Sequence, residues 1–309
     1  MKSTLLPCLK RYWPRFWSNV RLNLGGIFLQ LVTDIASLKG IIEEKKQKGL
    51  SIGFVPTMGF LHEGHLSLMR KAREENDFMV ISIFVNPLQF GEGEDYEEYP
   101  RDLERDTALA ESTGCDLVFS PTVREMYPPG YATFVQVEKL TEGLCGASRP
   151  GHFLGVTTVV AKLFNLVRPD RAYFGQKDAQ QAFVLIKMVE DLNMNLKIIV
   201  LPTVREPDGL AMSSRNKYLT NEQRKEAVVL YKSLRLAEAL IRKGEREAEI
   251  IKENIFKTIS QAEQAQVDYI EIVDTKQLRS VSRVKGRCLI AVAVKFGQTR
   301  LIDNVLVEV

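Results

Sequence analysis

Two of the three histidines in this 309-residue chain, His62 and His65, lie three positions apart in the glycine-containing segment PTMGFLHEGH (56–65). Imidazole rings this close suggest a metal site, a phosphate site or a packed turn. A helical zinc protease site needs histidines four positions apart, as in HExxH. The spacing here is three, a glycine stands inside it, and the third histidine, His152, is distant in sequence. The segment therefore does not predict a zinc site.

The glycines of the same segment, Gly59 and Gly64, have the spacing of a P-loop, but His65 and Leu66 stand where that motif requires Lys and Ser or Thr. The pattern is still that of a strand, a turn and a helix, and the first N–H groups of a helix bind anions. Imidazoles there can donate to phosphate oxygens and balance charge that develops during a reaction. Alternatively, the histidines only cap the helix. Two histidines within four residues favour the phosphate site.

The segments around this motif alternate between the hydrophobic pattern of a strand and that of a helix. Apolar runs of strand length, such as SIGFV and FMVISIFV (78–85), are separated by helical patterns such as LVTDIASLKGIIEEKKQKG and GVTTVVAKLFNLVRPD. Strands that are apolar throughout, with amphipathic helices between them, predict a parallel sheet covered on both faces. We therefore predict an α/β fold with a Rossmann-like, doubly wound domain over residues 31–203.

Glycine and proline cluster where each predicted strand ends, in PTMG, NPLQFG, PTVREMYPPG and GQKD. In open α/β sheets, ligands bind beyond the carboxyl ends of the strands. We therefore expect polar residues of these segments to converge although they are far apart in sequence. After residue 204 two charged amphipathic helices are followed by three strand-like segments, which predicts a second, smaller α+β domain over residues 204–309.

The first 30 residues have a different composition from the rest. Before Asp34 the chain has five basic residues and no acidic one, whereas the remainder carries a net charge of −2. The segment lacks the apolar region of a secretory signal, so we interpret residues 1–30 as a poorly ordered N-terminal extension that precedes the folded part. The alternative is a targeting or surface-binding segment. The charge of the remainder gives no reason to expect nucleic acid as a partner.

The four cysteines, Cys8, Cys115, Cys145 and Cys288, are far apart and form no CxxC pair. This spacing argues against a structural zinc site or a dense disulfide framework and is typical of proteins of the reducing cytoplasm. The sequence contains no run of eighteen apolar residues, so we predict no membrane span.

The motif HxGH after the first predicted strand resembles the signature of the nucleotidyltransferase superfamily that includes class I aminoacyl-tRNA synthetases. In that superfamily a later KMSKS-type loop closes over the nucleotide phosphates, and AMSSRN (211–216) resembles this loop. The loop lacks both lysines of the motif. Its arginine and two hydroxyls are suitable donors to phosphate oxygens.

Five stretches in series, VPTMGFLHEGH, FVNPLQF, RPGHF followed by GVTTVVAKLF, RAYFGQKDAQQ and DGLAMSSRN, resemble the pantothenate synthetase (pantoate–β-alanine ligase) family. The resemblance runs from about Leu31 to the C-terminus. It implies that the carboxylate of D-pantoate attacks the α-phosphorus of ATP, giving pantoyl adenylate and pyrophosphate. The amine of β-alanine then attacks the activated carbonyl and releases AMP. The site must shield the mixed anhydride from water.

The resemblance also implies site residues. His65 is the expected acid-type catalyst, His62 its partner on the phosphates, and Lys177 a point charge for phosphate. Gln89 and Gln181 match the residues that hold pantoate, although either would be interpreted as a surface glutamine without its motif. The matching ATP-binding residues are Met58, Gly59, Phe60, Leu61, His62, Glu63, Gly64, His65, Gly175, Gln176, Lys177, Asp178, Val204, Met212, Ser213, Ser214 and Arg215.

Several further expectations depend on the same resemblance. Arg149 and His152 are given supporting roles, and Arg149 could instead pair with a carboxylate of the protein. Asp178 could accept from ribose or cap the next helix. We interpret the acidic run GEGEDYEEYPRD (91–102) as a solvated loop, although family members use this region as a mobile cover or near the dimer contact. Mg²⁺ is implied as the companion of ATP, without named protein ligands. A homodimer in the cytoplasm is implied as well.

Three other functions stay open at this point. The nearest is another member of the superfamily, a cytidylyl- or adenylyltransferase, against which the glutamines of NPLQF and KDAQQ argue. A dehydrogenase on the same fold class is disfavoured because no GxGxxG follows the first strand. A nucleic-acid or membrane-surface binder would use the basic N-terminus.

Overall fold

Seven strands form the larger of two sheets in the computed structural model, which describes residues 20–23 and 28–309. The order across the sheet is β1-β2-β5-β4-β3-β6-β7. All neighbours run parallel except β1 and β2, which pair antiparallel at one edge. The strands are β1 (Val20–Asn23), β2 (Phe28–Val32), β3 (Ile52–Thr57), β4 (Phe78–Ile83), β5 (Leu117–Phe119), β6 (Arg171–Gly175) and β7 (Lys197–Leu201).

Helices cover both faces of this sheet, which confirms the predicted Rossmann-like, doubly wound architecture. One face packs on α2 and α3, and the other packs on α1, α6 and α7. The central strands β3 and β4 are buried almost throughout because both of their faces are covered, which explains their continuous apolar sequences. The helices of this part are α1 (Ile35–Gln47), α2 (Glu63–Glu75), α3 (Leu103–Ser112), α4 (Val123–Met126), α5 (Cys145–Ser148), α6 (His152–Val167) and α7 (Ala179–Asp191).

The second unit is a three-stranded antiparallel sheet of order β10-β9-β8 with helices packed against it. This matches the predicted smaller α+β unit in the C-terminal part of the chain. Its elements are α8 (Asn221–Glu226), α9 (Val229–Arg242), α10 (Ala248–Ile259), β8 (Ala265–Asp274), β9 (Arg287–Phe296) and β10 (Thr299–Glu308).

The strand β10 connects the two units close to the carboxyl end of β6. The side-chain amide of Asn304 donates to the carbonyls of Gln176 and Lys177, both at 2.9 Å. Arg205 forms a bidentate ion pair with the buried carboxylate of Asp303 at 2.6 and 3.0 Å. The Asn304 bonds fix the turn after β6, and the Arg205 ion pair fixes the segment after β7, relative to the C-terminal sheet.

The predicted N-terminal extension lies largely outside the described residues, which do not include 1–19 and 24–27. Residues 20–23 and 28–30 belong to β1 and β2. The sheet therefore begins before residue 31, where the sequence analysis started the domain. Within the described part of the chain, no helix has both the length and the apolar character needed to cross a membrane.

Candidate active site

A cleft opens at the carboxyl ends of β3, β4, β6 and β7, at the place that the sequence predicts. The turn after β3, the start of α2, the buried helix α6 and the segment 212–215 form its walls. Most predicted site residues line it: Met58, His62, Gly64, His65, Gln89, Gly175, Lys177, Asp178, Gln181, Val204, Met212, Ser213, Ser214 and Arg215. The histidine pair and the two glutamines thus border the same cavity.

The turn after β3 places the two histidines in a reciprocal helix cap. Nδ1 of His62 accepts from the N–H of Gly64 at 3.1 Å, and Nδ1 of His65 accepts from the N–H of His62 at 3.3 Å. The ring centroids lie 4.1 Å apart. Because Nδ1 is the acceptor in both rings, each neutral imidazole carries its proton on Nε2. Capping and phosphate recognition are therefore compatible, since the cap leaves one donor per ring.

Burial keeps both rings neutral. It lowers the pKa of His62 to about 4, and the charge of Lys177 acts in the same direction. Burial and the neighbouring His62 hold the pKa of His65 well below 6.5. At neutral pH the free site therefore presents two neutral N–H donors. The acid-type role expected of His65 stays a prediction, and in the free site this ring is a neutral donor.

Gly64 is required for this cap, since a Cβ there would lie 2.8 Å from the His62 ring. Gly59 has a φ of +85°, and its Cβ would lie 2.9 Å from a carboxylate oxygen of Asp106. That buried carboxylate accepts from the N–H groups of Phe60 and Leu61 at 2.6 and 2.8 Å. Burial raises the pKa of Asp106 although both donors act against it. Asp106 thus holds the histidine turn from α3, a role that the sequence analysis missed.

Five residues predicted to bind ATP do not line the cleft: Gly59, Phe60, Leu61, Glu63 and Gln176. The Phe60 ring contacts the cations of Lys217 and Arg105, which lie 4.3 and 4.9 Å from its centroid. Leu61 is completely buried in the core on the α2 face of the sheet.

The two polar members of this group are engaged elsewhere. Glu63 forms an ion pair with Arg70 on the outer face of α2. The carbonyl of Gln176 accepts from Asn304. None of the five therefore lines the cleft in this structure, and their assignment to the ATP site stays a prediction, because a motif match does not distinguish a cleft-lining side chain from one that supports the turn.

The 3-10 helix Pro87–Gln89 positions Gln89 in the cleft. Asn86 orients it: its amide nitrogen donates to Oε1 of Gln89 and to the carbonyl of Gly155, both at 3.1 Å. The hydroxyl of Tyr127 donates to Oδ1 of Asn86 at 2.8 Å. Asn86 is nearly inaccessible and belongs to the quoted motif FVNPLQF, yet sequence reasoning gave it no role.

The two glutamines of KDAQQ differ in what they contact. Gln180 is structural, since it accepts from the N–H of Cys145 and donates to the carbonyls of Leu140 and Gly143, all at 2.9 Å. Gln181 lines the cleft. Asp178 lies against Lys177 at 3.5 Å and makes no side-chain capping bond to α7, so the capping alternative is not realised.

The acidic segment 91–102 is not simply solvated. Glu94 binds Arg149 through both carboxylate oxygens at 2.6 and 2.7 Å. Burial opposes this charge, but Arg149 lowers the pKa of Glu94 to about 2. Asp95 binds Arg215 in the same way at 2.7 and 2.9 Å. The solvated-loop prediction is confirmed for exposed residues such as Glu92, Glu97 and Glu98 but not for Glu94 and Asp95. The alternative pairing of Arg149 with a carboxylate of the protein is confirmed.

The loop that resembles KMSKS touches the histidine turn. The hydroxyl of Ser214 donates to the carbonyl of Phe60 at 3.2 Å, and that of Ser213 accepts from the N–H of Arg215 at 3.3 Å. The carbonyl of Val204 accepts from the N–H of Met212 at 3.0 Å. Helix donors, hydroxyls and a guanidinium thus lie around one end of the cleft.

His152 begins α6 and supports Gln89. Its Nδ1 lies 2.8 Å from the Gln89 carbonyl and its Nε2 lies 3.1 Å from the Arg149 guanidinium. Burial and the Arg149 charge lower the pKa of His152 to about 4. In the described residues, no three His, Cys, Asp or Glu side chains come together as a metal site.

The chain is similar to known proteins over most of its length. A model of the family "Pantoate-beta-alanine ligase" matches residues 30–306. A pantothenate synthetase of Acetivibrio thermocellus is 60% identical over 281 residues, which cover 91% of this chain and 100% of the relative. One of Moorella thermoacetica is 59% identical over 281 residues, which cover 91% and 99%.

Solved structures are similar as well. The pantothenate synthetase of Thermus thermophilus superposes with a TM-score of 0.85 at 48% identity, over 89% of this chain and 98% of that one. The pantoate-β-alanine ligase of Francisella tularensis, solved as a complex with a β,γ-ATP compound and β-alanine, superposes with a TM-score of 0.75 at 37% identity, over 89% and 97%.

Proposed function

Because this chain belongs to the pantoate-β-alanine ligase family and joins pantoate to β-alanine with ATP, we propose that the cleft described above carries out both steps of that reaction. One observation supports the proposal above all: the two Nε2–H donors, Lys177 and Arg215 border the same cavity as Gln89 and Gln181. Phosphate donors and carboxamides that grip a hydroxy acid are what adenylation of pantoate requires.

In the first step the pantoate carboxylate attacks the α-phosphorus of ATP, and the bond to pyrophosphate breaks. Charge accumulates on the phosphate oxygens, and preorganised donors stabilise it best when they are desolvated. We assign this role to His62 and His65 as neutral hydrogen-bond donors, because their pKa values in the free site are low. Lys177 and Arg215 supply the positive charge, the latter after exchanging Asp95 for phosphate.

In the second step the amine of β-alanine attacks the acyl carbon of pantoyl adenylate. The amide bond forms, the bond to the phosphate oxygen breaks, and AMP leaves. Water must not compete for the same carbon. The apolar residues of α6 that border the cleft, Val156, Val159, Val160 and Leu163, restrict its access.

Mg²⁺ fits this site as the companion of ATP rather than as a resident of the protein. The described residues hold no metal-ligating cluster, and Asp178 is a half-exposed carboxylate of the cleft that would face the triphosphate. Mg²⁺ keeps water and phosphate ligands and needs few from protein, and when bound it neutralises triphosphate charge. The homodimer and the cytoplasmic location stay predictions, and light scattering of the purified protein tests the first.

The test follows AMP release with ATP, Mg²⁺, pantoate and β-alanine, omitting each in turn. We expect AMP only from the full mixture. AMP transfer to a phosphate acceptor would instead indicate a nucleotidyltransferase.

In the same assay His65→Ala should lower the rate of adenylation by about 10²-fold or more. Gln89→Ala should raise the KM for pantoate more than the KM for ATP. Equal effects of Gln89→Ala on both would remove that residue from the pantoate site.

A further inference from the structure

A smaller cavity, the side cavity, lies next to the cleft, between α5, the start of α7 and the C-terminal sheet. Its volume of about 80 Å³ suffices for one small organic molecule, whereas the cleft measures about 230 Å³. Cys145, Tyr269 and Arg300 border the side cavity but not the cleft. A molecule in the side cavity therefore has one end at these three side chains and the other at the wall that both spaces share. This shared wall consists of Arg149, His152, Lys177, Asp178, Gln181, Ser213 and Arg215.

Arg300, in β10, supplies a positive charge at the end away from the cleft. Its Nε and Nη2 donate to Oδ2 of Asp268 at 2.9 and 2.7 Å, and Nη2 also donates to the Ser148 hydroxyl at 3.0 Å. Among the described residues, the only hydrogen-bond acceptor of Nη1 is the sulfur of Cys145, at 3.7 Å. The side chain is only 19% exposed. Because sulfur is a weak acceptor, Nη1 keeps its donors for a ligand atom in the side cavity.

A second donor lies at the same place. The hydroxyl of Tyr269 is 3.3 Å from the Cys145 sulfur, and the Arg300 guanidinium lies 5.7 Å from the centroid of the Tyr269 ring. Burial raises the pKa of Tyr269, so this hydroxyl stays protonated. An oxygen anion would be a stronger acceptor than the sulfur for both donors, and hydrogen bonds between a guanidinium and a carboxylate are among the strong ones. This end of the side cavity therefore favours a carboxylate.

The other cations at the side cavity have acceptors of their own. Arg149 binds both carboxylate oxygens of Glu94. Lys177 and Arg215 also border the cleft, where the reaction proposed above assigns them to the phosphates of ATP. A second anionic substrate thus finds its available donor at Arg300.

β-Alanine has the complementary chemistry. It carries a carboxylate at one end and, two carbons away, the amine that attacks pantoyl adenylate. The attacked carbon links the pantoyl part to the phosphate, so we expect it between the groups that hold these parts, Gln181 and Lys177, and both belong to the shared wall. We propose that the side cavity binds β-alanine, with Arg300 holding its carboxylate and its amine directed toward the cleft. This assignment rests on the reaction given above.

The two steps of the reaction can be measured separately, which gives the proposal a sharp test. Pantoate-dependent exchange of labelled pyrophosphate into ATP reports adenylation and needs no β-alanine. AMP release reports the second step. Hydroxylamine also attacks acyl adenylates but has no carboxylate, so the formation of pantoyl hydroxamate reports the second step without the contact to Arg300.

The variant Arg300→Gln removes the cation. We expect it to raise the KM for β-alanine about tenfold or more, the usual effect of losing a hydrogen bond to a charged group. Pyrophosphate exchange and hydroxamate formation should keep their wild-type rates. Arg300→Lys keeps a charge beside Asp268 but has no second nitrogen for the side cavity, and it should raise the KM for β-alanine as well.

Asp268→Asn is the matched control, because it breaks the same ion pair and leaves the guanidinium in place. It should not raise the KM for β-alanine. An unchanged KM in Arg300→Gln, or an equal increase in Asp268→Asn, would overturn the role of Arg300. An equal loss of pyrophosphate exchange, hydroxamate formation and AMP release in Arg300→Gln would also overturn it, since it would indicate a structural effect. Absence of pantoate-dependent exchange in the wild type would contradict the reaction itself.

Discussion

Gly155, in the first turn of α6, sets the position of the segment that carries Gln89. A Cβ at this position would lie 2.2 Å from the carbonyl oxygen of Leu88 and 2.5 Å from the backbone nitrogen of Gln89. Both neighbours are backbone atoms, so no side chain can rotate away. The substitution Gly155→Ala therefore has to move the 3-10 helix Pro87–Gln89 or α6 itself.

The size of this movement follows from the contact distances. Ordinary van der Waals contact begins near 3.4 Å, so the two segments have to separate by about 1.2 Å. A misplacement of about 1 Å at a reacting centre can lower the rate by about 10²-fold. The same overpacking should lower the free energy of unfolding by about 1–3 kcal/mol. The hydrogen bond from Asn86 to the Gly155 carbonyl would be disturbed as well.

Steady-state kinetics and urea unfolding measure the two effects. We expect Gly155→Ala to lower kcat/KM for pantoate about 10²-fold with a much smaller change in the KM for ATP. Gly40→Ala is the matched control, because Gly40 lies within α1 with nothing within 4 Å of its Cβ position. It should leave kinetics unchanged and stabilise the protein by roughly 0.5–1 kcal/mol. If Gly155→Ala kept the wild-type kcat/KM for pantoate, this contact would not determine the position of Gln89.

Two further predictions concern charge. Asp95→Asn should lower the KM for ATP by about two- to fivefold, because the partly buried pair with Arg215 no longer competes with phosphate. A raised KM in initial-rate assays would contradict this prediction. The pKa of His62 is about 4 in the folded protein and 6.5 ordinarily, so unfolding takes up a proton below pH 6.5. The free energy of unfolding should therefore fall by about 2–3 kcal/mol as the pH falls from 6.5 to 4. His62→Gln should reduce this pH dependence, which urea unfolding at several pH values measures. An unchanged pH dependence would show that other groups cause it.

The fold and the location of the cleft could be predicted because their signals are local. Short segments contain each of these signals: apolar runs of strand length, helical patterns between them, and glycine or proline at strand ends. The rule that ligands bind at the carboxyl ends of parallel strands then joins residues as distant as His62, Gln89 and Lys177. The structure places all three on one cleft.

The supporting contacts could not be predicted in this way, because they join segments whose spacing has no pattern. Asp106 lies 46 residues from Phe60, to which it is bonded, and nothing in α3 marks it as different from its acidic neighbours. Asp95 meets Arg215 across 120 residues. The low pKa values of the histidines likewise depend on burial, which a local sequence motif does not report.

The reciprocal cap has a consequence for how protons can travel in this protein. Each imidazole of the pair has one nitrogen tied to the backbone of its own turn, so a proton received from the cleft has no exit through the far side of the ring. A half-turn flip of either ring would put Cδ2–H in the place of Nδ1, remove the acceptor of that backbone N–H and loosen the first turn of α2. The pair therefore cannot serve as a two-ended relay, and every exchange with the cleft passes through a single nitrogen per ring.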